Sequence, residues 1–195
     1  MIFDRKNIRL HDWDYSSNGT YYITICCYNR ELFLGSIDKH KVIYSEIGKI
    51  ALQYWMEIPF HFAHVKLDEF VIMPNHVHGI IVLDYSLAGP RHGVALHIHN
   101  DDQVGSCHGM TLPREPAINQ NINKFSNPVK NSVSVIINQY KSSVKRWCNK
   151  NGFNQFCWQS RFYDMIVHNE NSLDDIRMYI ISNPKNWKSD ELYHQ

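Results

Sequence analysis

Residues 70–83 read Phe-Val-Ile-Met-Pro-Asn-His-Val-His-Gly-Ile-Ile-Val-Leu: two apolar runs separated by Pro74-Asn75. β-branched runs on either side of a Pro-Asn pair predict two strands joined by a tight turn, and so an antiparallel pair. The second run opens with His76-Val77-His78. Side chains alternate faces along a strand, so His76 and His78 share one face and Val77 takes the other. Two imidazoles on one face of a stiff strand make half a site for a divalent cation. They read equally well as polar residues on a solvated face unless the chain supplies further ligands and a nucleophile.

The neighbouring segments supply a single core. Thr20 to Tyr28 is dense in β-branched and aromatic residues and predicts a strand, with a short hairpin arm over Glu31 to Ser36. Ser45 caps a predicted helix from Glu46 to about Glu57, in which Ile47, Ile50, Ala51, Tyr54, Trp55 and Ile58 recur at three- and four-residue spacing before Pro59. A second helix opens at Ser132 or Ser134 and runs to about Lys150, closed by Asn151-Gly152. Phe156 to His168 predicts another strand. A last helix begins near Ser172, where Ser172-x-x-Asp175 resembles a capping box, and Pro184 stops it.

From about Ser86 to Asn131 periodicity disappears, and Gly, Pro, Asn and His dominate. This predicts a long irregular insertion within one domain spanning 1–195. Its own His97-Ile98-His99, with His108 beside Cys107, lies on no predicted strand and preorganises nothing. Residues up to about Gly19 form an irregular lead-in carrying Arg5, Lys6 and Arg9.

A net charge of +1 excludes little, but its distribution is uneven. Between Glu115 and Asp164 there is no acidic residue, while Lys124, Lys130, Lys141, Lys145, Arg146, Lys150 and Arg161 all fall there. Such a segment suits either a solvated helix face or contact with a phosphate backbone. The odd count of five cysteines, with no CxxC pair, predicts reduced thiols in the cytoplasm rather than a disulfide framework. Neither the apolar runs nor Met1 to Lys6 suggests a membrane span or a leader.

The last helix carries Tyr179 and Asn183, four residues apart and therefore on one face. A hydroxyl and an amide oxygen could meet the two histidines across a site, the oxygen completing a mixed nitrogen and oxygen ligand set for Mg²⁺ or Mn²⁺. A free phenol titrates near pH 10 and needs a base or a metal's field to attack. On spacing alone, Tyr179 also reads as core and Asn183 as a C-cap.

Five motifs in order decide between these readings: Asp14-Tyr15-Ser16-Ser17-Asn18-Gly19 leading into Tyr22 to Cys26; Met73-Pro74-Asn75-His76-Val77-His78-Gly79; Gln139 to Arg146; Trp158 to Asp164; and Tyr179-Ile180-Ile181-Ser182-Asn183-Pro184. Together they resemble the single-tyrosine HUH transposases, in particular the REP-associated tyrosine transposases. The resemblance implies an α+β fold, an antiparallel sheet with packed helices of the RRM or ferredoxin-like kind. It implies cleavage and joining of single-stranded DNA near hairpins, with Mg²⁺ or Mn²⁺, by a monomer or a homodimer. Carried over by motif, His76 and His78 become the metal pair, Tyr179 the nucleophile and Asn183 the amide ligand. Tyr140 and Tyr163 are rival tyrosines, each without an amide four residues on. Lys141, Lys145 and Arg146, then Arg161 and Lys130, are the expected phosphate contacts. A DNA-binding protein that has lost its chemistry and a metal-dependent hydrolytic nuclease remain as alternatives.

Overall fold

The structure, a computed structural model, describes residues 13–87 and 129–193. Arg5, Lys6, Arg9, Cys107, His97, His99, His108 and Lys124 lie outside them, as does most of the expected insertion. The elements are β1 (Gly19–Cys26), β2 (Gly35–Asp38), β3 (Lys41–Tyr44), α1 (Glu46–Met56), α2 (Ile58–His61), β4 (Val65–Ile72), β5 (His76–Leu83), α3 (Val133–Lys150), β6 (Tyr163–Val167) and α4 (Glu170–Ser182). The main sheet has four strands in the order β4-β5-β1-β6, and every pairing is antiparallel. The architecture is α+β.

The two central strands are covered on both faces, which explains why β5 reads as a nearly continuous apolar run. Tyr21, Ile23 and Ile25 of β1 and Val77, Ile81 and Leu83 of β5 point to one side, into a core with Trp55 of α1 and Ile136, Ile137, Tyr140 and Val144 of α3. On the other side Tyr22 and Ile80 pack with Leu173 and Ile180 of α4. The pairing of Thr24 with His78 and Cys26 with His76 puts both imidazoles on the α4 side. The strand period thus sends Val77 to the large core and His76 and His78 to the smaller layer.

Gly79 marks where α1 presses hardest on the sheet. A Cβ there would lie 2.3 Å from Trp55 Cζ2 and 3.1 Å from Phe70 Cβ. Trp55 is fully buried and has no room to yield. Gly79→Ala is expected to destabilise the fold by about 1–3 kcal/mol through overpacking, read as a lower urea midpoint.

Several boundaries differ from expectation. The hairpin arm comes later than Glu31–Ser36, because its turn is made by Lys39 and His40 with φ of 44° and 66°, without the Asn-Gly signal that usually marks it. Helix α1 ends at Met56 as expected, and Pro59 then occupies the first turn of a further short helix, α2, where its missing N–H is not needed. The cap of α4 is Asn169, whose side chain accepts from Ser172 N at 2.8 Å, so the helix starts before Ser172. Only Tyr163–Val167 of the expected Phe156–His168 strand pairs as one, and the preceding stretch is held by a single bridge from Trp158 to Cys27. Among the described residues, Cys26, Cys27 and Cys148 carry thiols. Among the described residues no helix is long and apolar enough to cross a membrane.

Candidate active site

The site lies where the start of β5, the end of α4 and the segment after it converge. His76 is fully buried and His78 nearly so, with ring centroids 4.3 Å apart. His76 Nδ1 lies 2.7 Å from Asn75 Oδ1. His78 Nδ1 lies 2.7 Å from the Tyr22 hydroxyl and 2.9 Å from that of Thr24, its partner on β1. Each ring is therefore held by its Nδ1 edge. That leaves Nε2 of His76 buried with no hydrogen-bond partner, and Nε2 of His78 facing Tyr179.

Burial, aided by nearby Arg30, pushes the His76 pKa down to about 3. Burial and then its neighbour His76 put His78 well below the usual imidazole range. Both rings are neutral near pH 7, the form that offers a lone pair to a metal. The sign of the linkage follows. Unfolded His76 gains a proton near pH 6.5 while the native ring refuses it, so native stability is complete above that pH and lost as pH falls toward 3. At about 1.4 kcal/mol per pH unit, His76 alone is expected to remove about 2 kcal/mol between pH 6.5 and 5. Urea titrations with a chelator present will measure this, and His76→Gln will reduce the dependence, leaving the share due to His78.

Helix α4 brings Tyr179 to the histidines. Leu173 and Ile180 anchor its buried side, and Arg177 reaches across to Asp68 on β4, with contacts of 2.9 and 2.5 Å, and to Asp174 at 3.0 Å. The Tyr179 ring is 43% exposed, and its hydroxyl lies 3.4 Å from His78 Nε2 and 3.4 Å from Asp190 Oδ2. Partial burial, followed by the Asp190 charge, raises its pKa above that of a free phenol. Of the rival tyrosines, Tyr140 is buried in the large core and donates to Ala51 O at 3.1 Å, while Tyr163 lies on β6 with its ring edge-on to Tyr22.

Asn183 both caps α4 and turns into the site. It is buried, its Nδ2 donates to Asp190 Oδ2 at 2.7 Å, and its Oδ1 has no hydrogen-bond partner. Asp190 is the residue that sequence reasoning missed. Donor atoms of His76, His78 and Asp190 all lie within 4.8 Å of one another. The segment carrying Asp190 is held down by Asn75 Nδ2 donating to Leu192 O and by Arg30 Nη1 donating to Glu191 O, at 2.8 and 2.9 Å. No spacing rule points to it, because its position depends on how the chain turns back after α4. Two neutral imidazoles, a carboxylate and two buried orphan atoms, His76 Nε2 and Asn183 Oδ1, form a donor set suited to a divalent cation.

The five expected phosphate contacts separate into two groups. Lys141 is buried, and its Nζ donates to the carbonyls of Gln159, Ser160 and Arg161 at 2.7, 3.4 and 3.4 Å. Lys145 donates to Asn154 O and Phe156 O at 3.1 and 2.6 Å. Both ammonium groups reach the 154–161 stretch, with Lys141 buried and Lys145 partly exposed. Arg146, Arg161 and Lys130 are exposed.

No family model matches the chain. An uncharacterised protein of Haemophilus influenzae is 35% identical to it over 193 residues, covering 98% of this chain and 94% of the relative. Among solved structures, a REP-associated tyrosine transposase bound to a REP hairpin superposes with a TM-score of 0.53, covering 92% of this chain and 74% of its own. At 14% identity that likeness establishes a common fold.

Proposed function

The chain belongs to the same family as the Haemophilus influenzae protein and has the fold of the REP-associated tyrosine transposase, and on that footing we propose that it is a DNA strand transferase. Its substrate is single-stranded DNA beside a hairpin, which it cleaves and rejoins through a covalent tyrosine link. The observation that carries this reading is the meeting of Tyr179 Oη with His78 Nε2 at 3.4 Å, beside the orphaned His76 Nε2. A nucleophile on a helix and a paired-imidazole strand converge from distant parts of the chain.

A divalent cation, Mg²⁺ or Mn²⁺, held by His76, His78 and oxygens of Asp190 and Asn183, would polarise the scissile phosphate and offset charge that builds in the transition state. Tyr179 Oη attacks phosphorus, its proton passing to Asp190 Oδ2, and the bond from phosphorus to the 3′ oxygen breaks, the departing oxygen taking a proton from water. The products are a 5′-phosphotyrosine and a free 3′-OH. In the joining step a 3′-OH attacks the phosphotyrosine and the phenol leaves with a proton returned to it. The phosphodiester's energy is kept in the protein link, so no nucleotide triphosphate is consumed. Arg146, Arg161 and Lys130 are the side chains proposed to meet the DNA backbone.

The test uses a labelled single-stranded hairpin oligonucleotide drawn from DNA flanking the gene, with Mn²⁺ or Mg²⁺. An SDS-stable adduct mapped by mass spectrometry to Tyr179, and absent with chelator, is the expected result. Free 5′-phosphate ends without an adduct would assign the chemistry to hydrolysis. Tight binding without cleavage on verified substrate would leave a DNA-binding protein.

A further inference from the structure

The tautomer of His76 is set by its neighbour in sequence. Asn75 is completely buried. Its Nδ2 donates to Arg30 O at 3.1 Å and to Leu192 O at 2.8 Å, using both amide hydrogens. Carbonyl oxygens only accept, so a flipped amide would set Oδ1 against two acceptors. The amide orientation is thereby determined by its surroundings, and Oδ1 is the atom that lies 2.7 Å from His76 Nδ1. An amide oxygen carries no hydrogen, so the hydrogen in that contact belongs to Nδ1. A neutral imidazole has one N–H, which leaves Nε2 as a bare lone pair. That is the buried atom without a partner.

We propose that Asn75 is a positioning residue that holds His76 as the Nδ1–H tautomer and so presents Nε2 to a divalent cation. The cation half of this inference rests on the transferase reading above; the tautomer half does not. His78 provides the internal contrast. Its Nδ1 meets two hydroxyls, Tyr22 and Thr24, each able to donate or accept. His78 can therefore adjust to what binds its Nε2, whereas His76 is preset.

The experiment compares the wild-type protein and Asn75→Leu, each with ¹⁵N-labelled histidine and in chelator, by long-range ¹H–¹⁵N correlation. Loss of one signal set in His76→Gln assigns the ring. Wild type is expected to show a protonated, pyrrole-type Nδ1 and a bare, pyridine-type Nε2 at His76. Asn75→Leu is expected to lose that pattern. Mn²⁺ affinity, by calorimetry, is expected to fall about 10–100-fold in Asn75→Leu, the usual effect of removing a partner that orients a metal ligand. An Nε2–H tautomer in wild type, or an Asn75→Leu variant with unchanged tautomer and Mn²⁺ affinity, overturns the proposal. Should Asn75→Leu fail to fold, the wild-type spectrum still decides the tautomer. An Nδ1–H ring in a wild-type protein that binds no Mn²⁺ would overturn the cation half and the transferase reading with it, leaving Asn75's hold on the ring intact.

Discussion

Replacing Tyr179 with phenylalanine is expected to abolish the covalent DNA adduct while leaving the fold and DNA binding in place. The substitution removes one oxygen. The ring keeps its packing against His78, with centroids 5.3 Å apart, and its edge-on contact with Tyr22 at 6.5 Å. The lost hydroxyl's contacts to His78 and Asp190 are both 3.4 Å long, and it sits on a residue that is already 43% exposed. Its removal should change stability by about 0.5 kcal/mol at most, as for surface substitutions. Adduct formation, in contrast, should fall roughly 10⁴-fold or more, the scale seen when a covalent nucleophile is removed. Tyr140→Phe provides the opposite control. It deletes a buried hydrogen bond to Ala51 O, so it should cost about 1 kcal/mol of stability and leave the adduct intact. A Tyr179→Phe protein that still forms the adduct would end the assignment of the nucleophile.

Lys141→Met is expected to lower stability by about 2–3 kcal/mol without altering the salt dependence of DNA binding. The methionine retains the apolar stem but no donor, so the carbonyls of Gln159, Ser160 and Arg161 lose the ammonium that gathers them. Those carbonyls belong to the crossing stretch that reaches β1 through Gln159 N donating to Cys26 O, so the loss is felt at the edge of the site strand. Removing Arg146 or Arg161, each on the surface, should cost little stability. Each should reduce the slope of log affinity against log salt by about 0.7, the share of one phosphate contact on single-stranded DNA. Chemical denaturation and binding titrations at several salt concentrations separate the two classes. An unchanged slope after loss of both arginines would remove α3 and its following loop from the DNA path.

The parts of the molecule that were legible beforehand are those governed by local periodicity. The alternation in His76-Val77-His78 is a backbone property, so it foretold that the imidazoles share a face. Three- and four-residue spacing located α1 and α3, and the same rule put Tyr179 and Asn183 on one side of α4. What stayed hidden depends on non-local meetings. Asp190 reaches the histidines only because the chain folds back after α4, held by Asn75 and Arg30. Asn75 read as a turn residue, and its turn is real, but its amide is also the bond between that returning segment and His76. Lys141 lay on a helix face whose composition suggested phosphate; which face a loop would cover is not written in the helix. Ser172 read as the start of α4, but the cap the chain uses is Asn169, a residue the capping-box pattern did not point to.

The site is assembled from opposite ends of the polypeptide. Tyr22, Thr24, His76 and His78 meet through the pairing of β1 with β5, whereas Tyr179, Asn183 and Asp190 follow β6. Because domains generally begin folding from the N-terminal side during synthesis, a nascent chain on the ribosome can pair its imidazoles well before the Tyr179 hydroxyl exists. A growing or prematurely terminated copy lacking α4 would hold a cradle with no means of cutting. Under the proposed strand cleavage, the order of translation itself would act as a safety catch.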